Sequence, residues 1–199
     1  MRREGGEVTG RLGLIAGAAW VLLGLVWFAG APISDAIGWR AIDVLWTLCG
    51  IAGLAALVSL HRPYRHEYRL RGRVGLWIAI VGTAIFVLGT VASALTGGES
   101  DLVFVAVTLG YLLVFVGSAV VGVSFLRVGV ASRPGSILFV LALPLGLLLA
   151  GLVGVALAPT VSGFDVEGAV AAGPPVLYGL GWLAIGARVR TEPDRQGGL

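Results

Sequence analysis

The chain has 199 residues, a formal net charge of +3, 57% hydrophobic side chains and only 13% charged ones. A water-soluble domain carries about 25% charged residues, and here the apolar residues come in long blocks, which points to lipid as the solvent. The fourteen cations are all arginine and form no basic stripe with interleaved aromatics, so no nucleic-acid partner is expected.

Six stretches free of Asp, Glu, Lys and Arg follow one another: 12–28, 44–60, 74–95, 102–126, 136–158 and 168–187. About 20 apolar residues, within a range of about 17–25, carry a helix across the hydrocarbon core. The first two stretches are short, and Trp27 and Trp46 lie where an interfacial aromatic belt would extend them. Blocks this long and this uniformly apolar are not barrel strands. The expected fold is an all-α, six-transmembrane-helix bundle over 12–187, with a cytoplasmic N-terminal segment 1–11 and a cytoplasmic C-terminal tail 188–199. The apolar first run ends in Ala29-Gly30-Ala31, which also fits a signal-peptide cleavage site. It is longer than most such runs and is read as a span.

Arginine sets the orientation. The N-terminal segment, the second and fourth connections and the C-terminal tail hold thirteen of the fourteen, while the other three connections hold only Arg40. The excess of arginine on cytoplasmic loops then places both termini in the cytoplasm of a cell membrane. An arginine-only, Ala- and Gly-rich chain also fits a GC-rich prokaryotic genome. The Arg-x-Gly triplets at Arg11, Arg73 and Arg133, and the aspartates Asp43, Asp101 and Asp165, recur about sixty residues apart. They read as three helical-hairpin repeats, although any up-down bundle obeying the arginine rule places charges in this way.

Within the spans, glycine is ordered. Gly10, Gly17 and Gly24 are seven apart, as are Gly75, Gly82 and Gly89, and Ala142, Gly146, Ala150 and Gly154 are four apart. Small residues at these intervals flatten one helix face and let a neighbouring backbone approach. Gly17, Gly24, Gly75, Gly82, Gly89, Gly146 and Gly154 are therefore expected to pack helices, within the chain or against another membrane protein or a second copy. Thr108, Tyr111, Phe115, Ser118 and Gly122 form a stripe on one face of the fourth span. With Thr83, Thr90 and Tyr178 they make the candidate pocket. The alternative is that these hydroxyls bond to nearby carbonyls or to neighbouring helices, since an unpaired one in hydrocarbon costs about 1–3 kcal/mol. Pro144 and the pair Pro174-Pro175 interrupt the fifth and sixth spans, a pattern found at transporter binding sites and also as plain packing.

In the second connection Arg62, Arg65, Arg69, Arg71 and Arg73 are candidate contacts for membrane-lipid headgroups, each worth about 1 kcal/mol near an anionic surface. His61 and His66 lie beside them, with neither helix-face spacing nor a third ligand for a metal. No Asp, Glu, Lys, Arg or His falls inside the six stretches, which argues against proton pumps, voltage sensors and membrane haem proteins. The lone Cys49 makes no thiol pair. No catalytic, cofactor or metal site is expected. The leading expectation is a non-enzymatic scaffold, accessory subunit or regulator acting through helix packing and lipid contact. The alternatives are a small transporter or channel for a neutral or weakly polar solute and, third, a membrane enzyme.

Overall fold

The computed structural model describes residues 2–29, 38–64, 70–97, 100–129, 131–158 and 166–191. These form six α-helices and, among the described residues, no strand. They are α1 (Arg2–Ala29), α2 (Trp39–Tyr64), α3 (Leu70–Thr96), α4 (Asp101–Val128), α5 (Arg133–Leu157) and α6 (Val166–Thr191). Each contains a stretch long and apolar enough to cross a membrane, from the 21 residues Val170–Arg190 to the 28 of Asp101–Val128. The protein is a six-helix, multi-pass membrane bundle.

The helices run past the uncharged stretches. α1 starts at Arg2, and its Glu7 and Arg11 pair one turn apart at 2.6 Å. α6 continues through Arg188 and Arg190 to Thr191, so the segments 1–11 and 188–199 are both partly helical. The physical reason is that each added helical residue gains a backbone hydrogen bond wherever the hydrocarbon ends, and arginine stems reach back to the headgroups. The tail beyond Thr191 lies outside the described residues.

Two helix ends are fixed locally. α4 stops at Gly129, whose left-handed φ of 73° suits glycine and whose N–H donates to the Phe125 carbonyl at 2.8 Å. α5 starts at the Ser132 cap, whose hydroxyl accepts from the Gly135 N–H at 3.1 Å, with Pro134 in the first turn.

Each helix packs against its neighbours in sequence, and α6 closes onto α1 to complete a ring. The closing pair is antiparallel: Gly10 lies beside Arg190, Gly17 beside Gly179, and Gly24 beside Ala172. The beginning of α1 and the end of α6 therefore sit at the same end of the bundle.

The glycine rows form the seams. A Cβ at Gly17 would lie 2.7 Å from the Gly179 carbonyl oxygen of α6, and one at Gly24 would lie 2.8 Å from that of Ala172. In α3, a Cβ at Gly75 would meet Val120 and the Gly117 carbonyl, one at Gly82 would lie 2.8 Å from the Val114 amide, and one at Gly89 3.1 Å from the Val107 amide, all in α4. Gly146 of α5 faces Gly173 and Pro174 of α6, and Gly154 is buried on the same row. Close backbone approach of this kind is what holds helices together where lipid is as apolar as leucine. The first hairpin differs from the other two. The glycines of α3 and α5 face their own hairpin partners, whereas those of α1 face α6.

Candidate functional site

The axis of the ring is filled by aromatic side chains. Trp20 of α1 is fully buried at its centre and meets Trp46 of α2, Phe86 of α3, Phe115 of α4 and Tyr178 of α6, with ring centroids 5.3–6.3 Å apart. Phe139 of α5 adds the sixth helix to this layer, 5.1 Å from Tyr178 and 5.2 Å from Trp182. Most of these pairs are edge-to-face, the arrangement that the ring quadrupoles favour. Gly53 makes room on α2, since a Cβ there would lie 2.9 Å from the Trp20 indole nitrogen. The indole N–H groups of Trp20 and Trp182 are buried without a hydrogen-bond acceptor among the described residues.

Two of the candidate pocket residues meet directly. Ser118 donates to the Tyr178 hydroxyl at 3.2 Å, and both residues are fully buried. Tyr111 reaches from α4 to α6 and donates to the Ala171 carbonyl at 3.2 Å. That carbonyl is one that proline sets free, because Pro175, four residues on, has no N–H to give it. α6 runs through both prolines as one helix, and the hydrogen bond it lacks there is supplied by another helix, as lipid demands.

The remaining pocket candidates go elsewhere. Thr83 turns back to the Ala79 carbonyl at 2.7 Å. Thr90 donates to the Val87 carbonyl at 3.0 Å and accepts from Thr47 of α2 at 2.9 Å. Thr108 is exposed on the outside of the bundle, so the stripe on α4 ends at Tyr111 and does not continue into the interior.

Two further expectations are corrected. Trp46 is only 8% exposed and joins the axial cluster with Trp20, Phe86 and Tyr111, so it is no member of an interfacial belt. Trp77, 56% exposed, is the outward-facing indole, and its ring lies 6.1 Å from that of His61. Asp43, adjoining the second uncharged stretch, lies inside the apolar span Arg40–His61 and accepts from Ser93 of α3 at 2.8 Å. With the Thr47–Thr90 bond one turn on, it forms a polar ladder between α2 and α3. The ladder is hidden in the sequence because Asp43 stands just outside the charge-free stretch 44–60.

Of the candidate headgroup contacts, Arg71 and Arg73 stand exposed at the start of α3. The side chain of Arg62 and the whole of Arg65 and Arg69 lie outside the described residues, as does His66. The His61 Nδ1 is buried without a hydrogen-bond partner among the described residues. Cys49 donates its thiol to the Ala19 carbonyl at 3.3 Å. Among the described residues, no three metal-ligating side chains gather. The arrangement pairs most of its interior hydroxyls within the bundle and fills the axis with rings, so the middle of the molecule is built as packing. Compared with known proteins, the chain matches no family model, no curated sequence and no solved structure.

Proposed function

We propose that the protein is a non-enzymatic membrane scaffold, accessory subunit or regulator, working through its outer faces and its contacts with lipid. The observation that carries this reading is the aromatic packing around Trp20, which draws side chains from several helices onto the axis a solute would otherwise follow. The Tyr111 and Tyr178 hydroxyls, the polar groups best placed to greet a solute, are engaged with Ala171 and Ser118. Outward-facing side chains such as Leu88 and Leu95 of α3 and Leu102 of α4 remain for lipid or for the helix of a partner.

Reconstituted into vesicles, the protein should leave glycerol and urea permeability at the level of empty vesicles in an osmotic shrinkage assay. Solute flux above that level, abolished by Tyr178→Phe with folding intact, would make the protein a transporter instead.

The membrane proposed is the cell membrane, with the start of α1 and the end of α6 on the cytoplasmic side, supported by the distribution of arginine. A cysteine placed at exposed Ser100 should react with an impermeant thiol reagent added outside intact cells. One at Gly6, where an added Cβ meets nothing within 4 Å, should stay unlabelled. The opposite labelling pattern would invert the protein.

A further inference from the structure

Arg71 and Arg127 come from different connections in the sequence, yet they flank one surface groove of about 230 Å³ at the arginine-rich end of the α3–α4 seam. Its walls are Ala119, Val120 and Val123 of α4, and Ser124 completes it. The close approach of Gly75 to Val120 brings the start of α3 against this part of α4 and so sets Arg71 beside the groove. On α4, Ser124 and Val123 precede Arg127 by three and four residues, which puts all three on one helix face.

Three features point to an occupant. Both guanidiniums are solvent-facing, and neither has an ion-pair partner among the described residues. The carboxylate of Glu7, at the same end of the bundle, is already taken by Arg11. Ser124 is 9% exposed and lines the groove, and its hydroxyl has no hydrogen-bond partner among the described residues. Two cations and a hydroxyl donor above an apolar wall match a phosphate joined to hydrocarbon. The guanidiniums and the serine would bind phosphate oxygens, and the valines would receive the glycerol and first methylenes of an acyl chain.

We propose that this groove is a binding site for an anionic phospholipid of the arginine-side leaflet, its phosphate held by Arg71, Arg127 and Ser124. A free phosphate ion shares the polar chemistry but leaves the valine wall unused. The inference deepens the lipid-contact part of the proposed function and rests on it. It does not depend on whether the axis conducts, so the osmotic assay and the experiment below fail independently.

The test is native mass spectrometry of the detergent-purified chain with short-chain phosphatidylglycerol, phosphatidylcholine or inorganic phosphate. Phosphatidylglycerol should be retained well above phosphatidylcholine. Each arginine should contribute about fivefold in affinity, so Arg71→Gln with Arg127→Gln should lower retention about 25-fold. Val123→Trp fills the groove, keeps both charges and should also abolish retention, which covers the case of a double variant that does not fold. Equal retention of the two lipids, or undiminished retention in Val123→Trp, would overturn the site. Displacement of the lipid by millimolar inorganic phosphate would assign the groove to the free ion and overturn the lipid.

Discussion

The α3–α4 and α4–α5 seams share a helix but are built in opposite ways. Along α3–α4, Gly75, Gly82 and Gly89 face Gly117, Val114 and Val107 over most of the helix length. Between α4 and α5, a Cβ at Gly122, near the arginine-rich end, would lie 2.7 Å from the Ser136 carbonyl and 3.0 Å from Phe139. Toward the other end, Leu102, Phe104 and Val105 of α4 are exposed, as are Leu148, Leu152 and Val155 of α5. Both stretches are rich in large apolar residues, and these side chains stay exposed on both helices. Lipid already satisfies leucine, so hydrophobicity alone gives two helices no reason to associate, whereas small residues that let backbones touch do. The small residues of α5 are used elsewhere, with Gly146 seated on Pro174 of α6.

The strongest way to break the contrast is to remove the closeness of the glycine seam. A side chain at Gly117 meets the Gly75 carbonyl at 2.7 Å and the Ala79 backbone, neither of which can move aside. Gly117→Leu should cost more than about 3 kcal/mol and abolish the melting transition of the detergent-solubilised protein. Gly82→Leu should follow it closely, and an unchanged melting temperature in both would mean that this row faces lipid.

A middle-sized effect sharpens the role of side chains that bridge open ground. Tyr111 spans from α4 to α6, two helices that are not neighbours in the ring, and it satisfies a carbonyl freed by Pro175. Tyr111→Phe should cost about 1–3 kcal/mol, the penalty for an orphaned polar group. Tyr178→Phe should cost only about 0.6 kcal/mol, since Ser118 can turn back to its own helix. Thermal unfolding of both variants checks the order, and a larger loss for Tyr178→Phe would reverse it. The smallest effect should come on the open face. Thr108→Val should leave stability within about 0.5 kcal/mol of the parent, as expected for an outward site without partners. A loss above 1 kcal/mol would show that α5 or another helix covers Thr108 in the membrane.

The number of helices and the role of Gly82 or Gly146 were legible because charge-free length and small-residue spacing are properties of one helix at a time. Which helix each row would meet was not. Gly17 and Gly24 turn to α6, far along the chain, and no local pattern encodes that pairing. The axial aromatics were hidden for a related reason. Tryptophan serves equally at a membrane interface and in a core, so Trp46 and Trp77 look alike in sequence and end one in the core and one on the outer surface. The stripe on α4 is a periodicity, and a periodicity marks a face without guaranteeing a neighbour, as exposed Thr108 shows. Asp43 was missed because excluding charge to delimit a span also discards the carboxylate that pairs inside it.

The seam between the first and last helices also governs how the protein is made. Gly17 and its neighbour Gly179 leave the ribosome about 160 residues apart, which at roughly 5–20 residues per second is a wait of about 8–30 seconds. Throughout that interval α1 stands in the membrane with its flat glycine face uncovered, as does the Trp20 surface that Tyr178 will later meet. The nascent bundle is therefore an open arc whose first helix must be shielded by lipid, by the insertion machinery or by a second nascent chain until α6 arrives. A chain truncated before α6 would keep that exposed face permanently, and such a fragment is the form of this protein most prone to wrong pairing and to recognition by membrane quality control.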